Sequence, residues 1–153
     1  MRISPDFVVL LVTIVTSHLS DALMEREKNE LLQGHNSYRG EDRLPSIGWD
    51  AELEEWAKWV ISCNANYPGP QHSFTNFYRF GSEMSVKDVV SAWRQEGRQP
   101  FLERGCRTPL DRTRCNRNTN MMQPRLTSMA CAALQCSSMR QLVCIYDNIG
   151  DRV

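Results

Sequence analysis

The run Met129-Ala130-Cys131-Ala132-Ala133-Leu134-Gln135-Cys136-Ser137-Ser138-Met139-Arg140-Gln141-Leu142-Val143-Cys144-Ile145-Tyr146 decides the fold. Met129, Cys131 and Ala133 alternate with smaller residues, and a second β-rich stretch, Leu142 to Tyr146, follows across a polar turn. That pattern predicts an antiparallel hairpin at the C-terminal end of the chain. Upstream of it, from Gln99 to Arg125, regular periodicity is lost. Arg104, Arg107, Arg112, Arg114 and Arg117 cluster between and beside Cys106 and Cys115, which predicts a basic loop closed by a disulfide.

Further upstream the spacing becomes helical. Val86, Val89, Val90 and Trp93 mark one helix, with Ser85 and Asp88 in the arrangement of a capping box and Gly97 placed to end it. Before it, Asn64 to Phe80 contains Pro68, Gly69 and Pro70 and reads as a loop holding His72, followed by a short strand around Tyr78 to Phe80. Asp50 is a good N-cap for a helix carrying Leu53, Trp56, Ala57 and Val60, and Glu52 and Glu54 suit its dipole. Helical spacing assigns Trp56 and Trp59 to core and rim rather than to a ligand platform. Met24, Leu31, Leu32, His35 and Tyr38 form the stripe of a first helix ending near Gly40. Helices first and a hairpin last define an α+β layer fold.

Met1, Arg2 and the apolar run Phe7 to Val15, followed by Ser20-Asp21-Ala22, have the form of a secretory signal peptide over residues 1–22. Residues 23–153 then make a single domain of about 130 residues, enough for one ordinary core. Export implies an oxidising compartment in which Cys63, Cys106, Cys115, Cys131, Cys136 and Cys144 all form disulfides. Zinc is the rival reading of clustered cysteine. However, eight residues separate Cys106 from Cys115, four separate Cys131 from Cys136 and seven separate Cys136 from Cys144, and none of these is a zinc-knuckle spacing. Removing Arg2, Asp6 and Asp21 from 18 basic and 18 acidic residues leaves 17 and 16, so bulk charge gives nucleic acid no support as a partner. The chain has no Asn-x-Ser/Thr sequon, internal repeat or second apolar run long enough to anchor it in a membrane. A secreted monomer is expected.

In order along the chain stand His35-Asn36-x-x-Arg39, Leu44-Pro45, Trp49-Asp50, Leu53-x-x-Trp56-Ala57-x-x-Val60, Cys63, His72, Gly81-Ser82-Glu83-Met84, Trp93-x-x-Glu96, Cys131-Ala132, Cys136 and Cys144-x-Tyr146. This series resembles the CAP superfamily of cysteine-rich secretory proteins, venom allergen-like proteins and plant pathogenesis-related class 1 proteins, over essentially the whole of residues 23–153. The resemblance implies an α-β-α sandwich with a three-stranded antiparallel sheet between helices. It also implies bridges Cys63–Cys131, Cys106–Cys115 and Cys136–Cys144.

The resemblance further implies a central cleft with two histidines and two glutamates. His72, Glu83 and Glu96 match three of these positions, while Asn120, in Thr119-Asn120-Met121-Met122-Gln123, stands where the second histidine is expected. An amide is a poor ligand for Zn²⁺ or Cu²⁺ where an imidazole is a good one, so neither a metal nor any other cofactor is expected. His35 is read as a hydrogen-bonded structural residue. Other departures gather around the same cleft: Leu126 replaces a tryptophan, Ser82-Glu83-Met84 replaces Gly-Glu-Asn, and Gly150-Asp151 replaces Gly-Asn.

Paired carboxylates could in principle run acid/base hydrolysis with His72, Glu83 and Glu96. The sequence has no Gly-x-Ser-x-Gly element, though, and if every cysteine is bridged no thiol is left as nucleophile. A non-enzymatic binding or immunomodulatory factor of the venom allergen-like kind is the stronger expectation. The resemblance implies a ligand loop over about Phe101 to Met122. Arg112 and Arg114 suit an acidic protein or a sulfated glycan; Phe101, Met121 and Met122 offer the alternative of a sterol or fatty-acid carrier.

Overall fold

A computed structural model describes residues 23–64, 75–98 and 117–147. The signal peptide, His72, the Cys106–Cys115 loop with Phe101, Arg112 and Arg114, and Gly150-Asp151 lie outside these residues. The element order is α1 (Glu25–Glu41), β1 (Gly48–Trp49), α2 (Ala51–Val60), β2 (Thr75–Phe80), α3 (Val86–Arg98), β3 (Ser128–Cys136) and β4 (Met139–Tyr146).

The expected hairpin forms the centre of the sheet. β3 and β4 pair antiparallel from Met129↔Tyr146 to Cys136↔Met139 around the Ser137-Ser138 turn. β2 pairs antiparallel with β4 and begins at Thr75, three residues before the expected start. The sheet is mixed and four-stranded, in the order β1-β3-β4-β2, rather than three-stranded and antiparallel. The additional strand, β1, runs parallel to β3 through Gly48↔Ser128 and Trp49↔Met129. Two residues are too few to show a period of two. Their place is set by two backbone bonds, Gly48 N–H to the Thr127 carbonyl and Asp50 N–H to the Met129 carbonyl, each 3.0 Å.

Both faces of the hairpin are buried, and the alternation sorts residues between two cores. Met129, Cys131, Ala133, Leu142, Cys144 and Tyr146 face Leu31 of α1 and Val86, Val89, Val90 and Trp93 of α3. Ala130, Ala132, Val143 and Ile145 face Leu53 and Ala57 of α2. The small side chains of Ala130 and Ala132 let α2 lie close to the sheet, leaving Ala57 with no exposed surface. The layers are therefore helix, sheet, helix.

The caps form as their residues dictate. Asp50 Oδ1 accepts from Glu52 N–H at 2.8 Å and Leu53 N–H at 3.1 Å. Ser85 N–H donates to Asp88 Oδ2 at 2.8 Å, and Asp88 N–H donates to Ser85 Oγ at 3.2 Å, a reciprocal pair that satisfies donors of the first turn. Gly97 does not end α3, which continues to Arg98. A Cβ at Gly97 would lie 2.1 Å from Asn118 Cγ, so glycine stands there because residues 117–121, which are helical, press against the end of α3.

Two further expectations are corrected. Trp56 is 44% and Trp59 81% exposed, because the buried stripe of α2 runs through Leu53, Glu54 and Ala57 and both indoles fall outside it. The disulfides join Cys63 to Cys136 and Cys131 to Cys144, rather than Cys63 to Cys131 and Cys136 to Cys144. Register explains the second bridge, since Cys131 and Cys144 are directly opposed across β3 and β4 with Cα atoms 4.0 Å apart. That leaves Cys136, at the end of β3, for Cys63, just beyond α2.

Candidate functional site

α3 carries Glu96, the turn after β2 carries Glu83, and the helical residues 117–121 carry Asn120. Glu83 is exposed, and its carboxylate folds over Gly81, where an added Cβ would meet Oε2 at 2.3 Å. Glu96 is drawn elsewhere: its Oε1 lies 3.4 Å from Arg117 Nη1, with the two side chains 18% and 14% exposed. Arg117 in turn lies over the Tyr78 ring, 5.3 Å from its centroid. The structure thus brings Glu96 and Asn120 onto one local scaffold through residues 117–121, while the Glu83 carboxylate turns back on its own loop.

Asn120 is buried and belongs to a connected chain of side chains. Its Nδ2 donates to Asn76 Oδ1 at 3.1 Å and, at 3.4 Å, to the Thr75 carbonyl. Asn76 Nδ2 donates to the Arg117 carbonyl at 2.8 Å and to the Tyr146 hydroxyl at 2.9 Å. Tyr146 Oη lies 2.8 Å from His35 Nε2, and His35 Nδ1 lies 2.7 Å from the Leu31 carbonyl. A carbonyl only accepts, so Nδ1 carries the proton and Nε2 accepts from Tyr146. Every bond then runs one way, from Asn120 through Asn76, Tyr146 and His35 to α1. His35 and Asn76 have no exposed surface, and Asn120 and Tyr146 have almost none.

Burial pushes the His35 pKa down to about 4. The Leu31 carbonyl pulls it the other way and the Arg39 guanidinium adds to the depression. Burial likewise drives the Tyr146 hydroxyl well above its ordinary value, against the opposing pull of Asn76 and Arg39. Both groups are therefore neutral over a wide pH range, as a buried chain requires.

Arg39 holds the same region from the other side. Its side chain is fully buried; Nε donates to the Pro45 carbonyl at 2.8 Å, and Nη1 to the carbonyls of Met121 at 3.0 Å and Gln123 at 2.9 Å. Met121 is part of the main core and Met122 packs against it. A second polar cluster lies between α1 and α2, where Glu54 accepts from Trp49 Nε1 at 2.8 Å and pairs with Lys28 at 2.9 Å and Lys58 at 3.0 Å. Burial opposes ionisation of Glu54, but these three donors outweigh it and hold its pKa at about 2. The cluster borders a surface pocket of about 270 Å³ formed with Glu25, Asn29 and Leu32.

The described residues do not fit a zinc ion at the cleft position. The Asn120 amide is buried and directed to Asn76 and Thr75, and Glu96 is engaged by Arg117. No group of three or more His, Cys, Asp or Glu among the described residues could hold a metal. Sequence reasoning missed Asn76 and Arg117 as parts of this region. The available signal for Asn76 was an amide at an inward position of β2, two residues before Tyr78 and four before Phe80.

Helices layered on both faces of a mixed sheet make a CAP-like α+β fold. The family model described as the cysteine-rich secretory protein family, CAP, matches residues 32–146, and the chain belongs to that family. In structure it is similar to the hookworm platelet inhibitor (TM-score 0.66, 21% identity, covering 82% of this chain and 71% of that one). It is also similar to venom allergen-like protein 4 of Schistosoma mansoni (TM-score 0.55, 15% identity, 81% and 88%). A third likeness is to NaASP2 determined with Zn²⁺ (TM-score 0.54, 19% identity, 81% and 80%). At these identities the likeness is one of fold. Comparison with curated protein sequences gives no match. No helix among the described residues is long and apolar enough to cross a membrane.

Proposed function

We propose that this chain is a secreted CAP protein that acts outside the cell by binding a partner rather than by catalysis. The observation that carries the reading is Asn120: where the family's cleft would present a second imidazole, this chain places a buried amide whose donors are spent on Asn76 and Thr75. An amide so committed is a poor ligand for a metal that would activate water, which favours surfaces and loops as the working parts. The partner is an acidic protein or sulfated glycan recognised by Arg112 and Arg114. Lipid carriage is the weaker reading, because Met121 has no exposed surface and a lipid would have to displace it from the core.

Retention of the purified, disulfide-bonded chain on immobilised heparin tests this. The expected result is elution by salt, with retention lost when Arg112 and Arg114 are both changed to Ala, because exposed charge contacts are screened. Retention unaffected by the double change would overturn the arginine assignment. Saturable cholesterol or palmitate binding that Met122→Asp abolishes would replace it with the lipid reading.

A further inference from the structure

The chain Asn120–Asn76–Tyr146–His35 has a polarity that only a neutral His35 permits. We infer that it is an acid-sensitive latch: a proton taken up at His35 Nε2 releases the segment 117–122 from the end of α3 and from β2 while the sheet stays folded. The consequences run outward along the hydrogen bonds. Once Nε2 carries a proton, His35 donates at both nitrogens, and the Tyr146 hydroxyl faces two donors, His35 and Asn76. Its own proton has lost its acceptor. A buried hydroxyl left without a partner is disfavoured. The local remedy is to rotate the Asn76 amide so that Oδ1 accepts from Tyr146. That rotation turns Oδ1 toward the Arg117 carbonyl, which previously accepted from Nδ2 at 2.8 Å, and turns Nδ2 toward Asn120 Nδ2. Rotating Asn120 in response sets its oxygen against the Thr75 carbonyl. The mismatch cannot be absorbed inside the chain. It leaves at the far end, where Arg117 and Asn120 are attached.

The groups around His35 favour this direction of release. On α1 the charged neighbour is Arg39, which repels an imidazolium. β4 presents Tyr146, α3 presents the Trp93 ring at 6.1 Å, and β2 presents the uncharged Asn76. Among the described residues no carboxylate pairs with the imidazole. Segment 117–122 also carries Arg117, the partner of Glu96, so the proton state of a residue on α1 is coupled to the cleft carboxylate on α3. Asn118, which abuts Gly97, belongs to the same segment.

The test is amide exchange by NMR from about pH 7 to about pH 4, corrected for the intrinsic pH dependence, with the His35 ring nitrogens followed in the same samples. The reporter is the Met122 amide, which donates to the Asn118 carbonyl at 3.1 Å. Its protection is expected to fall by roughly tenfold or more with the midpoint of His35 protonation, while Cys131 and Cys144 amides keep theirs. His35→Gln, neutral throughout, should remove the step. Three outcomes would overturn the latch: unchanged Met122 protection across the His35 titration, opening of segment and hairpin at a single midpoint, or a step that persists in His35→Gln. Should that variant not fold, the two wild-type midpoints decide alone, and separate values refute the coupling.

Discussion

Changing Cys63 and Cys136 together to Ala is expected to lower stability by about 4 kcal/mol. The bridge spans 73 residues, and cross-linking so long a loop removes much of the unfolded chain's freedom. It also ties the end of α2 to the end of β3. The Cys131–Cys144 bridge closes only 13 residues, for which the same reasoning gives about 3 kcal/mol. Urea unfolding of the two double variants measures both. Thiol titration of the unfolded Cys63/Cys136 variant adds a check on connectivity. It should expose no free thiol, whereas a Cys63–Cys131 pairing would leave Cys131 and Cys144 without their partners.

Arg39→Ala is expected to cost a comparable amount, about 4 kcal/mol. The guanidinium serves three carbonyls at once, of Pro45, Met121 and Gln123; truncation removes all three bonds, the one to Met121 in a fully buried position, while Gln123 keeps only the Leu126 N–H at 3.3 Å. The side chain is itself fully buried, so its removal also opens a void under α1. Arg39→Lys keeps the charge but offers one nitrogen on a flexible stem, and should recover less than half of the loss. The urea midpoints of the two variants are the measurement; a loss under about 1 kcal/mol for Arg39→Ala would show that these carbonyls find other donors.

Most of the frame was legible because it rests on local chemistry. Asp50 and Ser85-Asp88 announce helix starts through side chains that satisfy nearby N–H groups, and Met129, Cys131 and Ala133 reveal one sheet face by alternation. What was hidden depends on distant partners. β1 exists because β3 lies beside it, and two residues carry no pattern of their own. Trp56 and Trp59 have helical spacing, but which side of α2 is buried is decided by the alanines of β3, not by indole size. Gly97 resembled a helix end; its reason lies more than twenty residues away at Asn118. Asn120 was legible as a position of interest only through the resemblance. Its connection to His35 was not, because Asn76 sits in β2 as an unremarkable amide until the fold places it between Tyr146 and Asn120.

Asn120 serves as a structural link, its amide bonded to Asn76 and Thr75, and on the reading proposed above it holds no metal. Zinc titration of the purified chain by calorimetry at neutral pH tests it most directly. No saturable heat is expected below about 100 μM Zn²⁺, because an amide bound to Asn76 and Thr75 is a poor and occupied ligand. One-site binding at low micromolar Zn²⁺ that is lost in both Glu96→Gln and His72→Ala would contradict it.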